Sequence, residues 1–455
     1  MTETPIAIVG GGIAGLAAAY ELASRGVPFQ LFERSSRLGG IIRTEHVDGF
    51  VIEAGPDSFL AQKPAALELC HSLGLESQLI SSTPPRTAFV LKRGRLHSLP
   101  SPSVLGIPAT WRGIARYDLL GPAARVRLAL EPLAPKLARP GDESVASFFR
   151  RRFGPATVPL VAEPLLGGIH AGDIESLSLS SLFPRFVEAE RRHGSVLRAF
   201  RNARRTPPPD GLFRSLAGGM GDLVRALEDR MPAGSLHRDT PVESLVRNGE
   251  DWRVRAGGTL HTARAIVLAC PAREAARLLQ PLDGRASELC NQVPYVSTVS
   301  IALAWPRGAV RHPLRGSGFV VARRANPVRI TACTWVSSKW SGRAPTGTVL
   351  LRAFAGGSHD PAVVDLDDRE LVEMAVRDLS GLLGITGPPL LSRVYRWRDA
   401  GAQHNVGHIA RVAEIEGRLA RYRGLVVAGS GFRSVGIPDC IADGRAAAAA
   451  CVSIE

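Results

Sequence analysis

Apolar residues along this chain fall into short unbroken runs near both ends and into helical spacing in between. The first run, Pro5–Val9, stops at three glycines, and Ile13–Leu22 then carries apolar residues at helical spacing. A second run, Pro28–Phe32, ends on Glu33. The pattern predicts a strand, a helix and a second strand, a β-α-β unit. From about residue 103 to 180 the texture becomes proline-punctuated and helical. Its clearest helix is predicted over Gly141–Gly154, with Asp142 as N-cap and Gly154 as the stop. Val145, Phe148, Phe149 and Phe153 share one face of it, and Arg150–Arg152 are expected to project elsewhere. Residues 204–211 (RRTPPPDG) read as a stiff loop between lobes. Strands are then expected at Ala265–Ala269, Ser297–Ala304, Gly318–Ala322 and Val349–Phe354, with one amphipathic helix over Asp365–Leu383. The tail predicts a strand, Leu425–Val427, and an alanine-rich helix from about Cys440 to Val452.

The two ends share a style that the middle lacks. The expected fold is therefore α/β, and α+β overall. A discontinuous Rossmann-like nucleotide-binding domain takes residues 1–80, 220–285 and 395–455. A mixed-sheet substrate domain, residues 81–102, 181–219 and 286–394, is inserted into it. A small helical lobe, residues 103–180, is a candidate for contact with a membrane surface because its amphipathic helices carry arginine.

Composition narrows the function classes. With 45% apolar and 22% charged residues the chain has the balance of a folded protein, and 6% aromatics leave little for stacking on single-stranded nucleic acid. The net charge of +14 suggests an anionic partner, but only four of the 56 basic residues are lysines and the arginines are scattered. No nucleic-acid partner is expected. The six cysteines show no metal-ligand spacing, so they read as buried reduced thiols and no metal site is expected. A signal peptide and a spanning helix are also absent from the pattern, and the expected location is the cytoplasm, with peripheral membrane contact as a candidate.

Chemistry enters with Gly10-Gly11-Gly12-Ile13-Ala14-Gly15, which fits G-x-G-x-x-G between a predicted strand and helix. Gly10 allows the tight turn, Gly12 lets a pyrophosphate approach the backbone, and Gly15 lets helix and strand pack closely. The helix N-terminus offers unpaired N–H groups to the phosphates. Glu33, at the end of the second strand, suits the ribose hydroxyls, and an acid there argues against a 2′-phosphate. Downstream lies Arg37-Leu38-Gly39-Gly40-Ile41-Ile42-Arg43, and near the C-terminus Gly429-Ser430-Gly431 precedes Ser434-Val435-Gly436-Ile437.

These three motifs together resemble the amine oxidase/phytoene desaturase superfamily of FAD enzymes. Glu53–Leu60 (EAGPDSFL), Glu163–Asp173 (EPLLGGIHAGD), Leu177-Ser178-Leu179 and Gln403–His408 (QHNVGH) resemble, within it, the protoporphyrinogen/coproporphyrinogen oxidase family of haem synthesis. GPDSFL followed by a lysine looks most like the bacterial coproporphyrin-forming branch. Carried over, the resemblance places FAD contacts on Gly10–Gly15, Glu33, Arg34, Gly40, Ile41, Gly55, Pro56, Asp57, Ser58, Val242, Trp397, Val435, Gly436 and Ile437. It places substrate contacts on Lys63, Arg86 and Gly168, with Ala88 standing where a protoporphyrin-forming enzyme often has a base. The tethering cysteine of the amine oxidases is missing before Leu425, so the implied FAD is non-covalent.

The resemblance implies oxidation of a porphyrinogen to a porphyrin, hydride passing to flavin N5 and molecular oxygen taking the electrons as hydrogen peroxide. No protein residue is assigned as catalytic, and His170, His404 and His408 read as structural. A homodimer is carried as a candidate assembly. The alternatives are an amine oxidase or carotenoid desaturase on the same scaffold, and a non-catalytic carrier that keeps the fold.

Overall fold

The computed structural model describes residues 5–135, 141–202, 210–433 and 435–453. Most of the predicted 204–211 loop, and Ser434, lie outside these residues.

The β-α-β unit is present. Strand β1 (Ile6–Val9) is followed by helix α1 (Ile13–Ser24) and strand β2 (Phe29–Phe32). They nucleate a five-stranded sheet in the order Leu236–His237, β2, β1, Ala265–Leu268, Leu425–Val427, every pairing parallel. Strands buried on both faces read as continuous apolar runs, and all four residues of β1 are buried. One sheet thus draws strands from three distant stretches of the chain. The C-terminal helix Ile437–Val452 lies against α1 so closely that a Cβ on Gly444 would stand 2.0 Å from the Ala14 carbonyl oxygen.

A second, seven-stranded sheet runs Leu391–Ala402, Tyr295–Pro306, Thr348–Gly356, Ala332–Trp335, Gly318–Val321, Ala88–Lys92, Arg95–Ser98. It is antiparallel except where Gly318–Val321 meets Ala88–Lys92. The helical region has a separate core, in which Phe148, Phe149, Phe153 and Phe186 pack edge to face.

Three expectations are corrected here. The helix Val145–Phe153 is capped by Ser144, whose Oγ accepts from the Ser147 N–H; Asp142 instead accepts from Ser178 Oγ and the Gly407 N–H. Arg152 does not project outward but is fully buried against an equally buried Glu131. Glu131 also accepts from Ser195 Oγ and from the Val196 and Leu197 N–H groups. A carboxylate needed at the start of the helix Val196–Asn202 must find a cation inside, because an unpaired buried charge is prohibitively costly. The Asp365–Leu383 helix starts only at Asp368, after a separate turn at Pro361–Asp365, because Asp367 and Glu370 form a reciprocal capping box.

All six cysteines are buried and none forms a disulfide. Among the described residues no helix is long and apolar enough to cross a membrane.

Candidate functional site

The glycine loop behaves as its spacing requires. Gly10 has φ +105°, and a Cβ there would press on the Ala269 carbonyl at 2.9 Å. A Cβ on Gly15 would lie 1.9 Å from the Gly10 carbonyl oxygen, so helix and strand close on each other there. Gly12 differs: a Cβ on it would meet nothing within 4 Å. It is the N-cap of α1 and has no side chain to satisfy the first N–H groups of the helix. Gly40 faces it, its own Cβ position 3.3 Å from the Gly12 Cα, and Gly39 donates to the Gly11 carbonyl at 2.8 Å.

Glu33 braces this loop, accepting from the Gly11 N–H at 2.7 Å and from the Ser35 N–H and hydroxyl. Thr240 donates to the Glu33 carbonyl at 2.8 Å, which brings Val242 beside the same strand end. Arg37 curls over the downstream turn, donating to the Leu38, Gly40 and Ile42 carbonyls. Ile41 is left 46% exposed between the loops. Arg34 points away, to Glu274 at the surface.

The Glu53–Ser58 segment is held differently. Arg352 donates from one Nη1 to the Glu53 and Gly55 carbonyls, both at 2.7 Å. Trp397 Nε1 donates to the Ala54 carbonyl at 2.9 Å, and Ser215 Oγ to the Asp57 carbonyl at 2.7 Å. The Asp57 carboxylate accepts from Lys339 at 2.9 Å, Trp340 Nε1 at 3.2 Å and Ser58 Oγ at 2.7 Å. Burial opposes ionisation of Asp57, yet Lys339 and Arg352 beside it hold its carboxyl well below the usual carboxylate range. Glu53, deeper and bonded to Thr44 Oγ and the Met220 N–H, is pushed up by burial.

The third part is the turn before the C-terminal helix. Gly436 caps that helix without a side chain, so a second helix N-terminus lies open at Val435–Ile437. His404 and His408 stack with ring centroids 3.8 Å apart and donate from Nε2 to the Ser430 and Phe432 carbonyls. A carbonyl can only accept, which fixes the proton on Nε2 in both rings. Burial, with His404 close by, pushes His170 and His408 down to about 4.

The substrate candidates separate. Lys63 caps the helix Pro64–Ser72 and reaches Asp439 in the first turn of the C-terminal helix, at 2.5 Å. Arg86 turns its Nε to Ser82, near Gly211, which neighbours the strand pairing with residues 59–60. Gly168 follows a π-helical turn, Val158–Gly167, and faces open space.

These features fit a dinucleotide: two helix N-termini capped only by glycine, an open Gly12, and an acid at the β2 end. The fold and loop define a dinucleotide-binding flavoprotein of the amine oxidase type. The chain belongs to the flavin-containing amine oxidoreductases, the family model matching residues 13–452. It is 36% identical, over 97% of its length and 96% of the relative's, to coproporphyrinogen III oxidase of Bacillus subtilis (strain 168). It is 34% identical to coproporphyrinogen III oxidase of Propionibacterium freudenreichii, over 97% of this chain and 89% of that one. The crystal structure of an Exiguobacterium sp. 255-15 protein described as a protoporphyrinogen oxidase superposes with TM-score 0.88 at 33% identity, covering 99% and 98% of the two chains. The chain is an FAD-dependent oxidoreductase, and the porphyrinogen oxidase resemblance of its motifs extends over its length.

The motifs did not disclose Arg352, Lys339 and Trp340. A signal for the first was present: an arginine interrupting the apolar run Val349–Phe354 has to be buried and paired.

Proposed function

We propose that this protein oxidises a porphyrinogen to a porphyrin in haem biosynthesis, with coproporphyrinogen III the preferred substrate and molecular oxygen the electron acceptor. The observation that carries the reading is the full-length likeness to coproporphyrinogen III oxidases, joined to an open dinucleotide cradle. FAD held there would supply a two-electron hydride acceptor for a substrate carbon, reoxidisable by oxygen. Six hydrogens leave a porphyrinogen, so three oxygen molecules become three of hydrogen peroxide. Aromatisation drives the change, and the protein has to bind and orient a flexible macrocycle rather than supply a strong acid–base pair.

FAD is held without a covalent link by Gly10–Gly15, Glu33, Gly40, Ile41, the 55–58 segment, Val242, Trp397 and Val435–Ile437. The division into a discontinuous FAD domain, an inserted substrate domain and a helical lobe is supported by the three-part origin of the parallel sheet. Lys63 and Arg86 supply cations for propionates. Arg86 has no partner on its Nη groups among the described residues, and a propionate reaching Lys63 shares it with Asp439. Peripheral membrane contact is supported by Trp111, Val126, Leu130 and Leu133, each about half exposed or more, next to arginines such as Arg201 over the Trp111 ring. Flotation with anionic vesicles in low salt tests it, and complete indifference to them sinks it.

The deciding experiment compares kcat/KM for coproporphyrinogen III and protoporphyrinogen IX, prepared anaerobically and followed by porphyrin fluorescence on admitting oxygen. The tetra-acid is expected to be preferred. A clear preference for protoporphyrinogen IX, or a Lys63→Ala variant that treats both substrates as wild type does, overturns the substrate assignment and leaves an FAD oxidase.

A further inference from the structure

Carbonyl groups in an irregular segment usually find backbone or water. Between Glu53 and Asp57 four of them are taken by side chains from elsewhere in the fold: Glu53 and Gly55 by Arg352, Ala54 by Trp397, Asp57 by Ser215. In a trans peptide the N–H of the following residue points opposite to the carbonyl. Fixing the Ala54 carbonyl therefore aims the Gly55 N–H away from Trp397, and fixing the Asp57 carbonyl aims the Ser58 N–H away from Ser215. Neither donor, nor the Asp57 N–H, has a hydrogen-bond partner among the described residues. A buried or half-buried N–H left in this state costs free energy unless a ligand accepts from it.

Arg352 is the hub. It is 5% exposed, lies mid-strand in Thr348–Gly356, spans two carbonyls with one nitrogen, and stands 3.6 Å from the Asp57 carboxylate that Lys339 also holds. Nothing else in this geometry calls for a guanidinium inside an apolar strand.

We propose that Arg352, aided by Lys339 through Asp57, is a positioning residue for the cofactor. It holds the 53–58 segment so that the Gly55 and Ser58 N–H groups form a rigid pair of donors to FAD. The inference rests on the FAD reading of the site and adds to it the residue that sets the donor geometry.

Hydrogen exchange on the wild-type protein, FAD-loaded and flavin-stripped, tests the donors. Peptides spanning 54–60 are expected to exchange at least tenfold more slowly when FAD is bound. Protection at residues 10–15 without protection at 54–60 overturns the proposal and leaves the FAD reading standing; protection at neither overturns both. The variants Arg352→Gln and Arg352→Lys test the hub in the holoenzyme. Arg352→Gln is expected to raise the FAD dissociation constant at least tenfold, to shift the visible flavin band, and to lower kcat more than it raises KM. Arg352→Lys, which keeps a cationic donor, is expected to recover most of the spectral change. A folded Arg352→Gln protein with wild-type flavin spectrum and FAD affinity overturns the proposal. Should Arg352→Gln not fold, the exchange measurement on the wild-type protein decides alone.

Discussion

The two sides of the proposed cofactor cradle are built on opposite principles. The Gly10–Gly15 loop is shaped by its own backbone: a positive φ at Gly10, a helix start at Gly12, and carbonyl contact at Gly15. The Glu53–Ser58 segment has no positive φ or helix start to shape it and is held by Arg352, Trp397, Ser215 and Lys339, residues 158 or more positions from the groups they bind. A self-shaped loop tolerates change around it and fails when its own glycines change. An externally held segment fails when the distant side chains that grip it change, or when the carboxylate they grip does.

The largest effects should come from breaking each side at its support. Gly15→Val would drive a side chain into the Gly10 carbonyl and is expected to cost more than about 4 kcal/mol, read as failure to recover folded protein. Gly12→Val faces open space, so the protein should fold with the Tm of flavin-stripped wild type yet carry less than about a tenth of the wild-type flavin. Normal flavin content in that variant means the cradle is misplaced. Across the cradle, Asp57→Asn leaves Lys339 and Arg352 buried without their carboxylate, and a loss of roughly 3–5 kcal/mol is expected in denaturant unfolding.

The turn before the C-terminal helix is also held from outside, and here acid should loosen it. His408 sits at about 4 in the folded protein against an ordinary 6.5, because burial disfavours its charged form. The unfolded chain binds the proton more readily, so the stability from this group is fully present above pH 6.5. It is lost as pH falls toward 4, by roughly 3 kcal/mol in all. Unfolding measured from pH 7 to 4 should show this slope, and His408→Gln should flatten it; equal slopes for both proteins would refute the role. The smallest effect should be at Lys63→Ala: its pair with Asp439 is 45% and 31% exposed, so stability should change by only about 0–1 kcal/mol, while substrate preference moves.

The same division decides what could be read in advance. The glycine loop, Glu33, and strands β1 and β2 were legible because their signals are local: spacing, an acid at a strand end, apolar runs buried on both faces. Arg152 misled because helical periodicity puts it off the aromatic face, while only the tertiary fold brings Glu131 there. Asp57 was legible as a candidate for the site but not as the carboxylate that Lys339 and Arg352 neutralise. Its partners lie 282 and 295 positions away and leave no spacing in the sequence. Lys63 was legible only as a candidate cation for a substrate acid, whereas its engagement with Asp439 depends on two helix starts meeting.

An oxidase that reduces oxygen releases an oxidant at its own centre, turnover after turnover. Peroxide attacks thiolates far faster than thiols. Burial pushes the Cys70 thiol up to about 11 and Cys270, Cys290 and Cys451 up to about 12, and raises Cys333 as well. At neutral pH a thiol at 12 is ionised in only about one molecule in a hundred thousand. If the proposed oxygen-dependent reaction holds, these five thiols are kept chemically quiet beside the hydrogen peroxide it releases, and turnover-dependent inactivation should proceed without their loss.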